Sequence, residues 1–120
     1  MALNLALVST ITAETAAAIM AATPVLTTLI ATPSAEQIVK INSLYAANTL
    51  ASGAVKVDAF LRTGPSTDHY LCKTVSVAAG ATTILVTKDA PVYLKGSTHS
   101  LLVFSDVTGL TFVVSYELLA

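Results

Sequence analysis

From Val25 onward the sequence is a succession of short apolar runs separated by turn residues, a spacing that suits a sandwich or barrel and not βαβ units. Candidate strands are Val25 to Ala31, Gln37 to Asn48, Ala54 to Arg62, His69 to Val77, Thr82 to Thr87, Val92 to Leu94 continued by Ser100 to Ser105, and Leu110 to Leu118. The sixth is two fragments around Lys95-Gly96. Two runs alternate clearly enough to assign faces. In AVKVDAFLR, Val55, Val57, Ala59 and Leu61 should pack while Lys56, Asp58 and Arg62 meet water. In LTFVVSYEL, Leu110, Phe112, Val114, Tyr116 and Leu118 should line the core. The connectors hold Gly64-Pro65, Gly80, Asp89 with Pro91, Gly96 and Gly109, residues that supply positive φ or a fixed φ where a chain reverses. The expected fold is all-β: a single antiparallel sandwich of about seven strands, Ig-like or jelly-roll-like.

One such core is all that 120 residues can hold. Charged residues make up only 11% of the chain against 54% hydrophobic, well below the usual quarter. Serine and threonine fill part of the gap, yet more apolar surface remains than one small core requires, so burial against partners is expected. The net charge is -1 and the basic residues Lys40, Lys56, Arg62, Lys73, Lys88 and Lys95 are scattered singly, which argues against nucleic-acid binding.

Glu14 is the sole charge in residues 1–35. This segment lacks the basic region of a signal peptide, and its apolar stretch is interrupted by threonines and by Pro24 and Pro33, so neither export nor a membrane role is expected. Residues 1–23 read as an N-terminal arm and 24–120 as the sandwich, with the arm contributing to assembly more than to the fold. Within the arm, Thr12 to Met20 suits a short helix capped by Thr10 or Thr12 and an extended segment equally well.

Catalysis requires a group activated by a positioned partner. The nearest approach is Asp68-His69-Tyr70 followed by Cys72, but on a regular strand His69 and Cys72 point to opposite faces. Cys72 therefore reads as a small core residue, unreactive toward reagents. His99 reads as a solvated turn residue, and two isolated histidines make no zinc site. Asp58, Asp68, Asp89 and Asp106 are expected as turn formers and solubilising charges. Tyr45, Tyr70, Tyr93 and Tyr116 sit in apolar runs, where packing into the core is expected, and the absence of tryptophan weakens a sugar-binding surface. No phosphate-binding or nucleophile-elbow motif occurs. The expectation is no enzyme, no catalytic, cofactor or metal residues, and no small-molecule substrate.

Several segments together resemble small virion structural proteins of tailed phages, notably those infecting cyanobacteria and marine bacteria. They are IVKINSLYAANT (Ile38 to Thr49), AVKVDAFLR, the run from Ser76 to Phe104, and VVSYELL (Val113 to Leu119). The matching details are Asn4-Leu5 and Ser9-Thr10-Ile11-Thr12 in the arm, Lys40-Ile41-Asn42 leading to a turn at Ala47-Asn48, then Ala78-Ala79-Gly80, Lys88-Asp89, Tyr93-Leu94 and Ser115-Tyr116-Glu117. Where that family has an acidic turn after tyrosine-leucine, this chain has Lys95-Gly96-Ser97, which reverses the local charge. The resemblance implies a protein of the virion, made in the host cytoplasm, that binds other virion proteins and carries no catalytic residues. It implies a capsid decoration, cement-like or minor head protein, or else a neck, tail or fibre-attachment component. The rival from another class is a secreted ligand-binding sandwich, which would show a signal peptide and exposed aromatics. Low charge on so small a sandwich further implies self-association, as a trimer or larger closed ring.

Overall fold

The computed structural model describes residues 10–19, 26–65, 67–87, 89–107 and 110–120. Most of the arm (1–9 and 20–23) and the turn residues Lys88 and Gly109 lie outside these. Nine strands run through the described residues: β1 (Ile11–Ile19), β2 (Thr27–Ile30), β3 (Ile38–Asn48), β4 (Val55–Arg62), β5 (Asp68–Val77), β6 (Thr82–Val86), β7 (Val92–Lys95), β8 (Ser100–Ser105) and β9 (Leu110–Leu119). All pairings are antiparallel. They build sheet A, ordered β1-β9-β3-β6 with β7 also on β3, and sheet B, ordered β2-β8-β4-β5.

β6 and β7 occupy one edge of β3 in succession, β7 against Ile38–Ile41 and β6 against Leu44–Ala47. Counted as one position, they leave a simple rule: the first strand pairs the last, the second the last but one, and so inward to the β4–β5 hairpin. A long hairpin folded back on itself and rolled into two sheets is a jelly roll. Of the two sandwich types expected, this is the one formed. The fragments Val92 to Leu94 and Ser100 to Ser105 do not form one interrupted strand as anticipated. The turn at Gly96 carries the chain from sheet A to sheet B, so they lie in opposite layers. The segment with even helical and extended preference is extended over Ile11–Ile19, because β9 offers it a partner at every residue.

Between the sheets, Ile41, Leu44, Leu94, Leu110, Phe112 and Val114 of sheet A meet Val55, Val57, Ala59, Val77, Leu101 and Val103 of sheet B, all fully buried. The anticipated faces of β4 and β9 hold. β3 departs from simple alternation. Val39 and Ile41 point inward, then Leu44, Ala46 and Asn48. Asn42 is the additional residue that changes the parity, since Ile41 pairs Tyr116 while Ser43 pairs Ser115. Its side chain is held by a 2.7 Å hydrogen bond from Nδ2 to Glu117 Oε1.

Two positions fasten the layers. Buried Asn48 ends β3 and donates Nδ2 to the carbonyls of Gly53 (3.0 Å) and Val77 (2.9 Å), while Oδ1 accepts the Leu50 N–H (3.0 Å). One amide thereby ties sheet A to the start of β4 and the end of β5. At Gly96, a Cβ would stand 2.6 Å from the Gln37 carbonyl oxygen and closer still to that of Ser34, so only glycine lets the 34–37 turn approach. Ser97 then donates its N–H to Pro33 O at 2.8 Å.

Replacing Asn48 with alanine would strand the buried Val77 carbonyl and leave the part-buried Gly53 carbonyl and Leu50 amide without their partner. The expected loss is about 2–4 kcal/mol in urea unfolding at unchanged m-value. Gly96→Ala should cost about 1–3 kcal/mol by the same measurement, as an overpacked site.

Candidate interaction surface

The residues singled out for chemistry are distributed to structural tasks. The bulge of β5 at Leu71 overturns the argument that separated His69 from Cys72: His69 stands opposite Leu61 and Cys72 opposite Ala59, both on the inward parity of β4. His69 Nε2 lies 3.2 Å from Thr63 Oγ1. Cys72 is half-buried against the core, and burial, with Asp58 nearby, pushes its thiol pKa up in spite of a backbone hydrogen bond to Ala59. His99 is more than a solvated turn residue, because its Nδ1 accepts the Lys95 N–H at 3.1 Å and closes the β7–β8 turn.

Three of the aspartates brace backbone or hairpin. Asp58 Oδ1 accepts the N–H of Thr74 (2.6 Å), which sits at a left-handed φ of 54° in a second bulge of β5. Asp106 Oδ1 accepts the Lys56 N–H (2.9 Å). Asp68 receives Nε and Nη2 of Arg62 at 2.7 and 3.0 Å across the β4–β5 hairpin. Among the described residues no group of three histidine, cysteine, aspartate or glutamate side chains could hold a metal.

The tyrosines divide in a way the sequence had not indicated. Tyr45 and Tyr116 are partly buried, but Tyr70 and Tyr93 are 51% and 44% exposed, which corrects the expectation that all four pack inward. Tyr70 lies on the outer face of sheet B, its ring 4.6 Å from that of Phe60 and 5.1 Å from Lys73 Nζ.

The outer faces differ in charge. That of sheet B carries Lys56, Asp58 and Arg62 on β4, with Asp68 and Lys73 on β5. On sheet A the register aligns four strands into one cross-strand row, Ile84, Tyr45, Val113 and Ala17. Ile84 is 63% exposed. Flanking rows are uncharged: Thr82, Ala47, Thr111 and Ile19 in register on one side, Ser43, Ser115 and Thr15 on the other. Lys40, Lys95 and Glu117 sit together at the β7 end of the face. No sequence window could have shown this row, because its members come from strands far apart in the chain. An apolar stripe in a charge-free field is the pattern of a docking surface.

No family model matches the sequence, and no curated protein matches it. Among solved structures the chain is similar to a chain in the structure of the infectious bursal disease virus Gx strain, at 10% identity and a TM-score of 0.39. It is also similar to one in the crystal structure of the T13 infectious bursal disease viral particle, at 8% identity and a TM-score of 0.40. Each likeness covers 93% of this chain but only 42% and 39% of the viral one, so the chain spans about two-fifths of their length. The jelly-roll assignment stands on the strand pairing alone.

Two measurements follow from these contacts. The hydrogen bonds from Arg62 hold the Asp68 carboxyl below the usual carboxylate range and raise the Arg62 pKa in return. A depressed folded-state pKa contributes stability that is complete above the unfolded value of about 3.9 and is lost as pH falls through the folded value. The side chains are 30% and 25% exposed, so the pair orients the hairpin more than it stabilises the fold. Arg62→Met should move the Asp68 titration midpoint, followed by NMR, up toward about 3.9. Native Cys72 should react with a bulky thiol reagent at least about tenfold more slowly than the unfolded chain.

Proposed function

We propose that this chain is a non-enzymatic structural protein of a tailed-phage particle. In this reading it is a capsid decoration, cement-type or minor head protein that binds other virion proteins through the outer face of sheet A. The observation that carries the reading is the row Ile84, Tyr45, Val113 and Ala17, set among uncharged residues and apart from Lys40, Lys95 and Glu117. A lone domain gains nothing from an apolar stripe facing water, whereas one fixed to a larger surface buries it. The resemblance of segments along nearly the whole chain to phage structural proteins supports the same role, and jelly rolls are a common fold of capsid components, a fold-level analogy only. The side chains with chemical potential also bear on it: His69, His99, Asp58, Asp68 and Asp106 are each engaged in bracing turns and bulges.

The test uses the particle. Mass spectrometry of purified virions should find the chain in many copies. Ile84→Lys, at a site exposed enough to tolerate the change, should reduce its recovery with particles by about tenfold or more, since one buried aliphatic anchor is worth upward of about 1.4 kcal/mol. Lys56→Glu on sheet B should leave recovery unchanged. Absence of the chain from purified particles, or normal recovery of Ile84→Lys, would overturn the proposal.

A further inference from the structure

A two-sheet roll has lateral edges where backbone donors and acceptors lack a neighbour, and unpaired edges recruit strands unless something prevents it. Three of the edges here are protected. β2 is four residues long, irregular at its pairing with β8, and followed by Pro33. β5 is kinked by the extra residue Leu71 and by the Lys73–Thr74 bulge braced by Asp58. The third is split into β6 and β7, with Pro91 in the break.

Among the described residues, β1 has none of these devices. It runs nine residues in continuous register with β9, without bulge or proline, and Glu14 is its only charge. Thr10 and Ala120 exchange both backbone hydrogen bonds at 3.0 Å. In an antiparallel ladder such pairs alternate, so Thr12, Glu14, Ala16 and Ala18 bond β9 as well. The N–H and C=O groups of Ile11, Ala13, Thr15, Ala17 and Ile19 therefore point away from the sheet.

We propose that this edge is a two-fold interface: β1 pairs antiparallel with β1 of a second copy, with Thr15 facing its own counterpart at the symmetry axis. The occupant follows from the sequence of the strand itself. Centred on Thr15, the pairing sets Ile11 opposite Ile19, Ala13 opposite Ala17, and their converses. All five outward-facing residues then find a hydrogen-bonding partner. Glu14 falls opposite Ala16. Centring one residue earlier, on Glu14, would place two carboxylates face to face and leave Ile19 beyond the overlap; centring on Ala16 would leave Ile11 beyond it. Only the Thr15 register satisfies both the backbone and the charges, and it adds a favourable cross-strand threonine pair. The contact is isologous and uses up the edge, so it closes at two copies, where composition alone had suggested a trimer or larger ring.

The inference rests on strand geometry and not on the particle role. A dimer with no affinity for particles would leave it intact, and particle binding by a monomer would leave the other reading intact. Sedimentation of the full chain should show a concentration-dependent dimer. Thr15→Pro removes an outward N–H that β9 does not use, so circular dichroism should stay β-rich while dimer affinity falls about tenfold or more. Thr15→Lys, which sets like charges opposite each other without touching the backbone, should act in the same direction. In a Cys72→Ser background, Thr15→Cys should form a disulfide-linked dimer under mild oxidation and Ile11→Cys should not, because two Ile11 positions would be about 27 Å apart along the strands. A monomer at about 100 μM, a dimer unaffected by both Thr15→Pro and Thr15→Lys, or equal cross-linking at positions 11 and 15 would overturn it.

Discussion

β3 is the strand on which sheet A is assembled. It bonds β9 along one edge from Ile38 to Asn48 and receives β7 and then β6 along the other, so every strand of that sheet is within one neighbour of it. At its far end the Asn48 amide reaches the backbone of sheet B. A strand used on both edges has no freedom in register. A shift of one residue would turn Ile41, Leu44 and Ala46 away from the core and separate Asn48 from Gly53 and Val77. The inner face of β9 and the positions of β6 and β7 are thus consequences of one alignment.

That alignment depends on a bulge. Were Asn42 paired as an ordinary strand residue, the inward positions Val39 and Ile41 would be followed by Ser43 and Tyr45, and the core would receive a serine while Leu44 faced water. The additional residue restores leucine and alanine to the interior and lets the other half of β3 present Tyr45 outward, where it joins Ile84 and Val113. Core packing and the apolar row on the outer face therefore share one cause. The hydrogen bond from Asn42 to Glu117 keeps the bulged residue's polar group satisfied at the surface.

Much of this fold was legible in the sequence, and the limits are instructive. β4 and β9 alternate because one face of each is buried, and the turn residues bracketed the strands closely. The bulges were not legible. A bulge is defined by two residues opposing one on another strand, so nothing in DHYLCKTVSV announces that Leu71 and Lys73–Thr74 break its pairing. His69 and Cys72 therefore share a parity that regular alternation would deny them. Tyr70 and Tyr93 look apolar in context, yet their exposure is set by which face their neighbours already occupy. β1 was ambiguous because alanine favours helix and threonine favours strand, and the partner that decides between them lies about a hundred residues away in sequence. The apolar row is the extreme case, since it exists only after four strands are in register.

The nested pairing also orders the strands by loop length. The β4–β5 hairpin joins neighbours, β3 and β8 close around it, and β1 with β9 closes nearly the whole described chain. Loop-closure entropy makes such long-range pairs dependent on the shorter ones beneath them. β1 is thus the strand whose ladder is supported last, and also the edge that lacks bulges and prolines and carries a single charge, Glu14. An unprotected edge is hazardous chiefly while a chain is partly folded, when other edges are open as well. Placing it on the outermost strand means that its outward row of donors and acceptors is aligned only after β9 has been fixed by β3. The near-neutrality of the N-terminal segment, which first suggested an arm serving assembly more than the fold, has the same physical basis on a sheet edge: a strand that pairs with β9 on one side and remains available on the other carries few of the charges that would protect it, here Glu14 alone.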